Sequence, residues 1–220
     1  MGLGLFKGGR CAMPLQNRVT PAGEIVATPE RGTMMGNRGG CFHRPDRTLA
    51  ATHWASRQWI CCVLSFKGRR RQLMQPNRYT ELFFLDEATA LSAGHRPCFE
   101  CRRADAVRFA ELWAGALGEP ERPSAPAMDL VLHRERLGPS RQKGTFEADI
   151  AALPAWTFLR LPSDSTPYLL APEGLLPWSF AGYGALRARP ASQCVQVLTP
   201  RTIVAVLSAG YRPMVHPSAD

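Results

Sequence analysis

The stretch ELFFLDEATALSAGHRPCFECR, residues 81–102, holds an apolar run, a short block of good helix formers and two cysteines three apart. The run at 79–85 reads as a strand. Asp86 stands where an N-cap belongs, 87–93 reads as a short helix, and Gly94 is placed to end it in the left-handed conformation. That helix delivers the chain to HRPCFEC. From 102 to 117, Val107, Phe109, Leu112, Trp113 and Leu117 follow a helical stripe, which sets the Cys-x-x-Cys between two helices. Upstream, Ile60, Cys62, Leu64 and Phe66 alternate along 58–66 as in a half-buried strand. A polar turn at 68–77 separates the strands at 58–66 and 79–85, so the two are expected to pair as a hairpin.

Outward from this block the pattern loosens. Residues 1–40 are rich in Gly, Pro and Arg and read as an irregular arm with one short strand near 23–28. EPERPSAPA, 119–127, has three prolines in nine residues, the composition of an exposed linker. Beyond it, 128–137, 158–161, 168–171, 175–180 and 195–199 read mostly as strands broken by Pro and Gly. Thr199-Pro200 opens a helix whose apolar face is Ile203, Val206 and Leu207. The phrase LSAGYRP at 207–213 repeats LSAGHRP at 91–97, which implies a shared helix-ending turn, not a duplicated domain. The expected fold class is α+β: a module at 41–118 of a β-hairpin and helices, a linker at 119–127, and a small mixed unit at 128–220.

The chain has 220 residues, 45% hydrophobic and 20% charged, which excludes disordered, collagenous and coiled-coil classes. It has no run long enough for a membrane span and no apolar start fit for a signal peptide, so a cytoplasmic protein without membrane contact is expected. Seven cysteines, irregularly spaced, argue against a disulfide framework. Cys98 and Cys101, three apart on a tight turn, form half of a zinc site. A thioredoxin-like redox pair would follow a strand and open a helix, whereas here a helix comes first. Upstream candidates to complete the site are Cys41, His43, His53, Cys61 and Cys62.

The segment 81–102 resembles the core of the metal-binding domain of Ada, the bacterial methyl-phosphotriester repair protein, where a strand, a short Ala-rich helix and a Cys-x-x-Cys recur in that order. CFHRPD at 41–46 is weakly similar to the stretch bearing that family's first zinc ligands. The resemblance covers about 36–109. It implies a small zinc-stabilised module with Zn2+ as cofactor, nucleic acid as partner, and a link to DNA repair or regulation. It sets His43 where the family has its methyl-accepting cysteine and Arg47 where the second cysteine falls, so alkyl transfer is not expected of that position. The fourth ligand then comes from the insertion before Glu81, with Cys62 favoured and Cys61 and Cys41 as alternatives. The implied ligand set is Cys98, Cys101, Cys62 and His43.

The net charge is +9, from 27 Lys and Arg against 18 Asp and Glu. Between Cys41 and Phe109 twelve basic residues face six acidic ones, so two-thirds of the excess lies in one block. Lys67, Arg69, Arg70 and Arg71 on the expected hairpin tip, with Arg96, Arg102 and Arg103 around the Cys-x-x-Cys, are candidate contacts to a nucleic-acid backbone. The rival reading is an enzyme. If 128–137 is a strand, Asp129, His133 and Glu135 share a face and could serve metal-assisted hydrolysis; an alkyl-acceptor enzyme using a zinc thiolate is the other form of this rival. No P-loop, dinucleotide fingerprint, nucleophile elbow or HExxH is present.

Overall fold

A computed structural model describes residues 13–69, 72–138 and 142–219. The fold is α+β, with two six-stranded sheets and four α-helices among the described residues. The first sheet comprises β1 (Gln16–Val19), β2 (Ile25–Ala27), β3 (Met34–Arg38), β4 (Trp59–Val63), β5 (Leu82–Phe84) and β6 (Arg96–Pro97), in the order β2-β1-β5-β3-β4-β6. The second comprises β7 (Phe146–Asp149), β8 (Phe158–Arg160), β9 (Tyr168–Leu170), β10 (Leu175–Ser179), β11 (Gly182–Tyr183) and β12 (Cys194–Val197), in the order β11-β10-β9-β8-β12-β7. The helices are α1 (Glu87–Ser92), α2 (Arg103–Leu117), α3 (Ala125–Arg136) and α4 (Arg201–Ser208).

The expected hairpin does not form. β3 lies between β4 and β5 and pairs antiparallel with both, Gly36 facing Cys61 on one side and Leu82 on the other. The supposed arm at 1–40 thus contributes three strands where it is described. Its short polar segments hid this, since Gln16–Val19 and Met34–Arg38 carry Asn17 and Arg38 inward, against the usual apolar rule. Gly36 is required here: a Cβ would come within 2.1 Å of the Ile60 carbonyl oxygen.

Between the sheets runs α1, in which every residue is buried. Its small side chains allow it to touch three apolar clusters: Ala90 packs with β1 and β3–β5, Leu91 with α2, α3 and α4, and Ala88 with the second sheet. Asp86 caps it as expected, accepting from Thr89 N at 2.8 Å. Gly94 ends it at φ +85°, with Gly94 N on Leu91 O and His95 N on Ala90 O. The repeated phrase makes the same turn after α4, where Gly210 N reaches Leu207 O and Tyr211 N reaches Val206 O.

Two expectations need correction. Residues 119–127 read as a linker, yet Ser124 caps a helix by accepting from Ala127 N, with Pro126 in its first turn. The segment 128–137, read as a strand, is the rest of that helix up to Arg136. On α2 the buried set is Ala106, Phe109, Ala110 and Trp113, while Leu117 is 45% exposed. The strands expected at 158–161, 168–171, 175–180 and 195–199 and the helix after Pro200 are present with small shifts of boundary. Apolar contact is continuous across 127, since Phe109 and Trp113 share a cluster with Met128, Leu132 and Ile203. No helix of the described residues is long and apolar enough to cross a membrane.

Buried charge at the head of α1 ties the halves together. The fully buried Glu87 carboxylate accepts from Arg102 Nη2 at 2.8 Å, Tyr211 OH at 2.7 Å and Met214 N at 2.8 Å. Replacing one member of a buried ion pair strands the other, so Glu87→Gln should cost about 3 to 5 kcal/mol in urea unfolding. Arg69→Met, which breaks the exposed pair with Glu100, should leave the midpoint in place.

Candidate metal centre

The thiols of Cys62, Cys98 and Cys101 lie within 4.8 Å of one another. A tetrahedral zinc site holds its sulfurs about 3.8 Å apart, so a small closure of these three accommodates an ion. Two elements bring them together. β6 pairs parallel with β4, Pro97 facing Cys61, and Cys98 N donates to Cys61 O at 3.0 Å, which sets Cys98 beside Cys62. The turn 98–101 then closes, Arg102 N donating to Cys98 O at 3.0 Å, and brings Cys101 back over β4.

Strand alternation separates the neighbours Cys61 and Cys62. Cys61 is fully buried in the core with Met34 and Phe84, and burial pushes its thiol well above the ordinary value. Cys62 faces the other way, into a cleft of about 420 Å3 with Ile60, Phe66, Leu73 and Phe83 among its apolar walls and both other thiols on its rim. The alternation Ile60, Cys62, Leu64, Phe66 marked in the sequence is therefore the cleft face. The face packed in the core is Trp59 and Cys61.

Thiolate character is built in. Cys98 is pushed down to about 5, chiefly by the hydrogen bond from Cys62 and also by the backbone N–H groups of Cys101 and Glu100. Cys101 is lowered as well, again mainly by Cys62 and also by Val63 N–H. Cys62 is pushed up, because its proton is shared with both of them. A metal ion would displace that proton.

His43 does not join the three thiols. Its ring is buried, with Nδ1 2.7 Å from Thr80 Oγ1 and Nε2 3.2 Å from Gln75 O. These bonds hold the loop 41–50 against the segment 75–80 that precedes β5, so His43 serves packing, with the exposed Cys41 beside it at 3.8 Å. Among the described residues the group of metal-competent side chains stops at three. Cys11 lies outside the described residues.

The basic residues divide. Lys67, Arg69 and Arg103 are exposed; Arg70 and Arg71 lie outside the described residues. Arg96 and Arg102, expected on a phosphate-gripping surface, are interior. Arg96 makes a two-pronged pair with Asp129 at 2.9 and 2.8 Å, and Arg102 binds Glu87. Being set beside the Cys-x-x-Cys concealed this, because the same turn that presents Cys98 directs both arginines into the core. The hydrolytic trio is also dispersed. On α3, Asp129 belongs to Arg96, Glu135 accepts from Thr202 N and Oγ1, and His133 sits against Arg136.

No family model, curated protein or solved structure matches this chain.

Holding the Cys98 thiolate gives the metal-free fold stability that is present above the unfolded value of 9.0 and is lost as pH falls towards about 5. Thermal unfolding of metal-free protein across that window should show a positive slope with pH, and the slope should shrink in Cys98→Ser.

Proposed function

We propose that the protein binds zinc through Cys62, Cys98 and Cys101 and uses the exposed cations beside that site to hold nucleic-acid backbone. The observation that carries the metal reading is the convergence of three thiols, one from a strand and two from a turn. Soft thiolates favour zinc over magnesium or calcium. The fourth coordination position falls to a donor beyond this trio, and the cleft in front of Cys62 gives a donor access to it.

One observation supports likeness to the Ada-type module: the element order β5, α1, Cys-x-x-Cys is the one that family uses. The third thiolate departs from that pattern, coming from the insertion before Glu81. The site differs in its donors, since His43 is engaged elsewhere and Arg47 is exposed on its loop. The nucleic-acid reading rests on Lys67 and Arg69 after β4 and Arg103 two residues past Cys101, all exposed, with Arg44, Arg47, Arg57, Arg78 and Arg108 also at the surface. Such contacts bind phosphate without reading bases.

Elemental analysis of the purified protein should give one equivalent of zinc. The metal should be lost in Cys98→Ser and Cys62→Ser and kept in His43→Ala. A zinc-free wild type from chelator-free preparation would sink the metal reading. On a duplex, affinity measured by anisotropy should fall with salt, and the doubly substituted Lys67→Glu, Arg103→Glu protein should lose roughly two units of the log-log slope. A slope near zero in the wild type would sink the nucleic-acid reading and leave zinc binding standing.

A further inference from the structure

A second cavity, of about 550 Å3, lies where β3 and β4, α3 and the second sheet meet, and is separate from the cysteine cleft. Four cations line it: Arg38, Arg136, Lys143 and Arg160. Arg38 is 3% exposed and Arg136 1%. Elsewhere this protein neutralises its buried arginines with carboxylates, as Arg96 and Arg102 show. Here it does not.

Arg38 Nη2 donates to Gly23 O at 2.8 Å, and its Nε lies 3.4 Å from His95 Nε2. Arg136 donates to Gly94 O at 2.8 Å and Arg57 O at 2.6 Å. Lys143 Nζ donates to Ser92 O. Carbonyls satisfy donors but leave the charge uncompensated. Among the described residues no carboxylate forms an ion pair with these four, and the one acid lining the cavity, Glu24, is exposed. The buried Nε atoms of Arg136 and Arg160 have no hydrogen-bond partner.

The groups around the cluster respond to this surplus. Burial, with the charges of Arg38 and Arg136, pushes Lys143 down to about 7. His95 and His53 are lowered by burial and by Arg38, and His133 by burial and by Arg136. Arginine itself does not give up its proton in a protein, so the positive charge persists. Trp59 fixes the two guanidiniums in place, their central carbons 4.0 Å (Arg38) and 3.9 Å (Arg136) from its ring. Gly94 makes room for this arrangement, since a Cβ there would meet Arg136 Cδ at 2.7 Å.

We propose that this cavity binds a small phosphorylated molecule, its dianionic phosphate gripped by Arg38, Arg136, Lys143 and Arg160. Guanidinium forks match phosphate oxygens two at a time, and several converging cations suit a dianion better than a single carboxylate. The volume exceeds what inorganic phosphate fills and lies in the range of small-molecule sites, which leaves space for an organic body. The site shares no residue with the cysteine centre, so it stands or falls independently of the zinc reading.

The test is titration of the full chain with phosphate, pyrophosphate, AMP and ADP at fixed ionic strength, followed by melting temperature and by tryptophan fluorescence, since Trp54 and Trp59 line the cavity. Saturating phosphate compounds, up to about 10 mM, should raise the melting temperature by several degrees while chloride does not. Arg160→Gln, whose side chain is only half-buried, and Lys143→Gln should each weaken binding about tenfold or more. Arg122→Gln, an exposed cation outside the cavity, should bind as the wild type does. Three results would each overturn the site: no shift beyond that of chloride, affinity in both cavity variants equal to the wild type, or an equal loss in Arg122→Gln.

Discussion

The carboxylates of Asp86 and Glu87 at the head of α1 are the constraint on which the two sheets depend. Both are fully buried, and their oxygens accept from groups far apart in sequence: Asp86 from Tyr183 OH and His216 N, Glu87 from Arg102, Tyr211 OH and Met214 N. Burying two adjacent acids is costly unless every lone pair is met. The donors come from the second sheet, from the start of α2 and from the chain after α4, so meeting that demand closes the structure. Burial still pushes Asp86 upward, a sign of how little water reaches the junction.

From this junction α1 passes its position to the three thiols. Its fixed start and the left-handed turn at Gly94 set the direction in which 95–97 leaves, and β6 has only two residues with which to find β4. A shift of register there by one residue would turn Arg96 and Pro97 to the opposite faces and carry Cys98 out of line with Cys62. The ion pair of Arg96 with Asp129 on α3 and that of Arg102 with Glu87 clamp the chain on both sides of the Cys-x-x-Cys. The site is thus positioned by interior charge pairs, and its thiols need only a small adjustment to meet an ion.

Local chemistry made part of this legible. Asp86, Gly94 and the spacing of Cys98 and Cys101 are signals within one turn of chain, and each places what it should. Strand alternation permits only one of the adjacent Cys61 and Cys62 to face a site, and the pairing of β4 with β3 and β6, which the sequence does not show, makes it Cys62. What could not be read was long-range. β3 enters between β4 and β5 from a stretch of Met, Gly, Asn and Arg without strand-like alternation, and nothing in 34–38 announces two partners. His43 looked like a ligand by position alone, but the partners that claim it, Thr80 and Gln75, are over thirty residues away. In SAPAMDLVLHRER the helix signal, a Ser cap with Pro in the first turn, was masked by the prolines just before it.

The basic residues show why charge counts are a poor guide to surface. Of seven cations first assigned to a phosphate surface, Arg96 and Arg102 turned out to be internal clamps, whereas Arg38 and Arg136, which composition does not distinguish from any other arginine, lie buried with no ion pair among the described residues. An unpaired buried cation lowers stability, and a fold that keeps two together, with two more half-buried beside them, retains a defect unless something outside the chain completes it. The paired arginines and the unpaired ones therefore do different work. Arg96 and Arg102 spend their charge inside, to hold the cysteine turn. Arg38, Arg136 and Arg160 keep theirs beside a cavity that also holds Lys143, where an anion brought from solution would balance it.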